Sequence, residues 1–219
     1  MLKIDFHVHT SRSDGKMHPL SAVKFAIKMD LDGIAITDHD VHFPRNIYNE
    51  IKRKYPDFVL IPGIEVSTAD GHILVLGTFE PIPPGLSALE TIEITHELGG
   101  IAVPAHPFDR LRDGIGENKL LELLGKYDAI EAVNGSSLRE TYNRKAIRFA
   151  KRYKIPIIGG SDAHVPDLLG VVITFVNASN SIDDVLSAIK KGKTHVYYQK
   201  IGFFKLIMLK LKKYFTRTI

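Results

Sequence analysis

Eight short apolar runs punctuate the chain: Leu2 to Val8, Gly33 to Thr37, Phe58 to Val66, Ile73 to Phe79, Ile101 to Ala105, Ala129 to Val133, Ile155 to Gly159 and Val171 to Val176. None exceeds nine residues. They are rich in Val and Ile and bounded by Gly, Pro, Asp or His, which reads as buried strands. Amphipathic segments separate them: Pro19 to Met29, Arg45 to Tyr55, Ser87 to Leu98, Glu117 to Leu124, Arg139 to Tyr153 and Ile182 to Lys190. Pro19 and Ser181 stand where helix starts favour such residues. Repeated strand–helix alternation predicts an α/β fold around a parallel sheet, open or closed into a barrel. At 219 residues the chain fits one larger domain better than two small ones.

The polar residues gather at the ends of these runs. His7 and His9 close the first, Asp38 and His39 the second, and Glu65 the third. His106 follows "GIAVPAHP", and Asp162 and His164 follow "IPIIGGSDAH". In parallel α/β folds the C-terminal strand ends share one rim, where active sites form. His7 and His9 are two apart on a strand, so both project to one side. Asp5 shares that side and is expected to orient an imidazole. One such pair is weak; recurrence at five strand ends carries the argument. With no cysteine, a metal here must be held by imidazole and carboxylate, a donor set suited to manganese, iron or zinc. His18, His42, His96 and His195 lie in loops, a helix and a late strand-like stretch, and read as ordinary hydrogen-bonded histidines.

Charge divides the chain unequally. Beyond Asp184 there is no Asp or Glu, and the last 35 residues carry nine Lys and Arg. The first 184 hold 20 basic and 25 acidic residues, net −5. Basicity is thus a property of the tail, which excludes reading the whole domain as a nucleic-acid binder. The first strand is expected to begin at about Leu2, and with no basic region and apolar run before it no signal peptide is expected. No apolar run is long enough to cross a membrane. The expected compartment is cytoplasmic.

Four blocks, "DFHVHTSRSDG", "GIAITDHD", "PGIEVS…GHILVLG" with "PAHP", and "GGSDAH", together resemble the PHP family, named for polymerase and histidinol phosphatase. The resemblance covers nearly the whole chain to about Tyr198 and implies a distorted (β/α)7 barrel over residues 1–198, followed by a basic amphipathic tail, 199–219. It implies metal ligation by His7, His9, Asp14, His39, Glu65, His72, His106, Asp162 and His164. Glu65 matches a metal-bridging carboxylate. Asp38 looks like a neighbour that orients groups or shuttles a proton. Among these, His72 departs from the strand-end rule, because it begins its strand.

Such a donor set is enough for about two or three divalent ions (Mn, Zn or Fe). The expected reaction is hydrolysis of phosphomonoesters, nucleotide-like ones first, by metal-activated hydroxide. Asp38 or His164 is the expected proton donor to the leaving group. A substrate phosphate also calls for a cation. Arg12, Lys16, Arg45 and Arg110 are the candidates, with Arg110 first because it follows the His106 loop. Alternatives are trimming of RNA or DNA ends, a histidinol-phosphate phosphatase, and a non-catalytic metal-stabilised binding module. Wound as a helix, the tail puts Phe203, Phe204, Ile207, Met208, Leu211, Tyr214 and Phe215 on one face. Lys205, Lys210, Lys212, Lys213 and Arg217 fall on the other, interrupted by Leu206 and Leu209. That face suits a membrane surface, a partner, a nucleic acid or the barrel itself.

Overall fold

A computed structural model describes residues 1–215. Among them are nine strands: β1 (Leu2–Val8), β2 (Gly33–Ile36), β3 (Val59–Thr68), β4 (Gly71–Leu76), β5 (Ile101–Pro104), β6 (Ile130–Asn134), β7 (Ile157–Gly160), β8 (Val172–Val176) and β9 (Thr194–Tyr198). The seven α-helices are α1 (Pro19–Lys28), α2 (Arg45–Lys54), α3 (Ala88–Glu97), α4 (Glu117–Glu122), α5 (Glu140–Tyr153), α6 (Ile182–Lys190) and α7 (Phe203–Phe215). Local chemistry sets their starts. Ser87 and Glu90 form a reciprocal capping box on α3, and the Ser181 side chain accepts from the Asp184 amide to begin α6. His18 caps α1 with Pro19 in its first turn, which gives that histidine a structural task.

Seven strands form one curled sheet in the order β5-β4-β3-β2-β1-β8-β9, and β6-β7 form a separate parallel pair. β1, β2 and β3 run parallel, as expected. The sheet is not parallel throughout, however. β3–β4, β4–β5, β1–β8 and β8–β9 are antiparallel. Only Ala69 and Asp70 separate β3 from β4, and a parallel crossover needs a dozen residues or more. The fold is therefore α/β with a curled sheet, and not a regular succession of seven strand–helix units.

The β6-β7 pair sits where the curl would otherwise gape, with β7 against β1 and β6 against β5. Beyond β7 the chain bonds to β1: Asp162 N donates to His7 O at 2.8 Å, and His9 N donates to Ala163 O at 3.0 Å. Gly160 makes this approach possible, since a Cβ there would stand 2.3 Å from His7 Cβ. The seam binds the first histidine motif to the last.

α7 packs on the core through Leu206 and Leu209, 3% and 9% exposed. These are the two leucines that interrupt the polar side, so the broad apolar stripe is not the packed face. Arg217 lies outside the described residues, as do the side chains of Phe203, Lys210, Lys213 and Phe215.

Candidate metal centre

Glu65, in the second half of β3, is the hub of the site. Its Oε2 lies 3.0 Å from His7 Nε2, 3.1 Å from His9 Nε2 and 3.3 Å from His39 Nδ1. Its Oε1 lies 2.9 Å from His106 Nε2 and 3.0 Å from His72 Nδ1. Asp162 Oδ1 stands 3.3 Å from His9 Nε2 and 3.4 Å from His164 Nδ1. Asp14, in the loop after β1, reaches His164 Nε2 at 3.1 Å. All nine residues expected as ligands thus occupy one cluster. His72 belongs there because β4 is antiparallel: its first residues pair with the last of β3, at the rim.

The donors fit divalent cations. His7 Nδ1 lies 3.0 Å from Glu131 Oε1, and a carboxylate only accepts, so Nδ1 carries the hydrogen. A neutral His7 then presents a bare Nε2, 3.0 Å from the Nε2 of His9 and 3.0 Å from Glu65. Lone pairs pointed at one another are stable only around a proton or a metal. His164 repeats the pattern, its Nδ1 donating to the carbonyl of Asp162 at 3.0 Å while Nε2 turns toward Asp14. Asp162 Oδ1 is buried with no hydrogen-bond partner. Three groups have ligand atoms close enough for one ion each: His9, Asp14, His39 and His164; His7, His9 and Asp162; and His39, Glu65 and His72.

Protein groups alone already set up this demand for positive charge. Burial disfavours the His7 imidazolium, but Glu65 and Glu131 outweigh it and raise its pKa to about 10. Burial pushes Glu65 upward, yet the charge of His7 and bonds from His106, His7 and His72 hold it well below the usual carboxylate range. Burial lowers His39 to about 4, against the pull of Glu65, and lowers His106 as well. Two of the expected ligands also sit on unusual backbone: φ is 29° at His106 and 54° at Asp162. Non-glycine residues at positive φ store strain, and such strain gathers at functional sites.

Three expectations change. Asp5 does not orient an imidazole. Its carboxylate accepts backbone bonds from His7 at 3.3 Å, Ser161 at 2.8 Å and Gly170 at 2.9 Å, locking strand ends together. The orienting carboxylate is Glu131, on β6, which also accepts from His106 N at 2.7 Å and Asn134 Nδ2 at 3.1 Å. Asp38 holds the loop after β1, accepting from Thr10 N at 2.7 Å, Thr10 Oγ1 at 2.6 Å and Ser13 Oγ at 2.7 Å. Arg110 is displaced by Arg112. Both belong to one 3₁₀ turn, Arg110–Arg112, whose three residues per turn send them in different directions. Arg112 pairs with Asp162, and donates to Asn134 Oδ1 at 2.9 Å. Arg45 is spent on Glu80 at 3.2 Å and on the Phe79 ring.

A cavity of about 280 Å³ opens over the cluster, lined by His39, His72, His106 and His164 with Arg112 and Ser136. Val165, Leu168, Leu209 and Tyr214 complete its lining. A second, wider groove of about 810 Å³ shares His72 and holds Arg110, Asp113 and Lys119.

The curled α/β sheet thus carries a rim of imidazoles and carboxylates with the donor set and spacing to hold divalent cations. The chain belongs to the PHP family. A PHP-associated family profile matches residues 140–194. An uncharacterised protein of Methanocaldococcus jannaschii is 31% identical over 144 residues, 61% of this chain and 82% of that one. The 5′-3′ exoribonuclease Rnm of Salmonella typhimurium is 42% identical over 66 residues, 29% of this chain but 22% of that enzyme. Among solved structures, a two-domain Bacteroides vulgatus protein described as containing a PHP-like metal-dependent phosphoesterase superposes with a TM-score of 0.74 at 23% identity. The match covers 97% of this chain and 69% of that one.

Proposed function

We propose that this chain is a metal-dependent phosphoesterase that hydrolyses phosphomonoesters of nucleotide-like molecules. The observation that carries this reading is the hub at Glu65, whose two oxygens lie 2.9–3.3 Å from five imidazole nitrogens. The nine clustered residues would hold about two or three divalent ions (Mn, Zn or Fe), which supply charge neutralisation at phosphorus and a more acidic water. The chain's own groups do the rest. Glu131 fixes the His7 ring, and Asp38 fixes the loop that carries Asp14. Arg112 offers a planar fork of donors toward the cavity, suited to phosphoryl oxygens. His164, its Nδ1 committed to the Asp162 carbonyl, presents Nε2 beside Asp14 as one of the atoms that would hold an ion.

A second reading is removal of terminal nucleotides from RNA or DNA. The exoribonuclease Rnm match supports it, as does the wide groove that continues past His72 and has room for a longer substrate.

One screen tests both readings. Metal-loaded protein is offered aryl phosphate, mononucleotides, bis-phosphorylated nucleotides and short RNA, beside His7→Ala and Asp162→Ala controls. Phosphate release from the small esters, lost in both controls, supports the first reading. Shortened RNA without phosphate release from mononucleotides moves the assignment to the second. Bound metal with no hydrolysis of any of them overturns both.

A further inference from the structure

α7 has two apolar faces, and the structure buries the narrower one. Leu206 and Leu209 seat in the cluster that includes Val8, Met17, Leu168 and Leu169. Lys212 Nζ, 2.7 Å from Asp167 Oδ2, fastens the same helix. On the other side Met208 is 66% exposed, Leu211 45% and Tyr214 76%. At about 100° per residue, Met208 and Tyr214 lie about 60° either side of Leu211, and the buried leucines about 140° or more away. Soluble surfaces rarely leave so continuous an apolar stripe in water.

Charge says what covers it. Lys205 is exposed beside the stripe, and the sequence carries no Asp or Glu beyond Asp184. A groove on a partner protein would not demand this uniform sign, whereas a layer of lipid phosphates would. Thirteen helical residues span about 20 Å, too short to cross a bilayer, and no helix among the described residues is long and apolar enough to do so. We propose that α7 lies in the plane of an anionic membrane surface, with Met208, Leu211 and Tyr214 at the acyl boundary and Lys205 among the headgroups. Leu209 and Tyr214 also line the cavity over the metal cluster, so docking brings its mouth to the lipid surface.

The test is sedimentation of the full chain with phosphatidylglycerol-containing vesicles and with pure phosphatidylcholine vesicles at physiological salt. The expected result is binding to the anionic vesicles alone, weakened at least about tenfold in Met208→Glu/Leu211→Glu with thermal unfolding and metal content unchanged. If that double variant fails to fold, Leu211→Trp serves instead. The chain has no tryptophan, so its emission must shift to the blue on adding the anionic vesicles. Equal binding to both vesicle types, no binding to either, or a stripe consumed in a dimer or on short RNA overturns the proposal. No readout here is hydrolysis, so failure of the phosphoesterase reading leaves this result standing.

Discussion

His7 and Glu131 are 124 residues apart in sequence, yet Nδ1 of the one lies 3.0 Å from Oε1 of the other, with both side chains fully buried. This pair selects the tautomer that leaves His7 Nε2 bare toward Glu65. Carboxylates placed behind a ligating histidine raise its basicity and fix its ring. Glu131→Gln keeps the shape and weakens the acceptor. Its expected effect is a fall in metal affinity of about 10- to 100-fold with the circular dichroism spectrum unchanged. Titration of metal-stripped protein with manganese reads it directly, and unchanged affinity would remove Glu131 from the site.

Arg112 and Arg110 give opposite expectations within one 3₁₀ turn. Arg112 lines the cavity over the cluster, and Arg110 lines the neighbouring groove. Arg112→Ala is predicted to lower kcat/KM about 10- to 100-fold, the scale of one lost donor to a transition-state oxygen. Arg110→Ala is predicted to stay near wild type on small esters. Metal content must be measured alongside, because Arg112 also pairs with Asp162.

Much of this was legible from where polar residues end apolar runs. His7, His9, His39, Glu65, His106, Asp162 and His164 all follow that rule: β1, β2 and β3 run parallel, two antiparallel pairings return β5 to their direction, and the chain beyond β7 bridges Val8 in parallel at Ala163. The rest needed three dimensions. Glu131 sits inside the apolar run of β6, where an acidic residue reads as an outward-facing one; a carboxylate amid "AIEAVN" was the available signal. His72 looked misplaced because the direction of β4 is set by a two-residue turn. The tail's helical pattern showed two candidate faces, and packing chose the minor one, where Leu206 and Leu209 meet the core.

Protonation gives the metal-free and metal-loaded protein opposite pH responses. The folded pKa of His7 is raised from 6.5 to about 10, so its proton stabilises the metal-free fold. That contribution is complete below about 6.5 and is lost as pH rises through about 10. Bound metal instead requires the unprotonated ring, and so competes with this proton. The gain in melting temperature on adding manganese is therefore expected to grow between about pH 6 and 9. Scanning fluorimetry with and without metal measures it, and a gain that shrinks with pH would contradict the assignment of His7.

The β7–β1 seam makes a stability prediction that needs no metal. A methyl group at Gly160 would stand 2.7 Å from His7 N as well as 2.3 Å from its Cβ. Both neighbours belong to β1 and cannot yield freely. Gly160→Ala is expected to cost about 1–3 kcal/mol in urea unfolding, the usual range for overpacking. Wild-type stability in that variant would mean that the two strands do not close as described.

The most direct measurement is the metal content of the purified chain beside Glu65→Gln, determined by mass spectrometry of the elements on protein shown to be folded. Glu65 offers both oxygens to five histidines, so the account predicts about two or more divalent ions in the wild type and the loss of at least one in the variant. A wild type without divalent metal, or a variant that keeps the full complement, would contradict a metal centre built around Glu65.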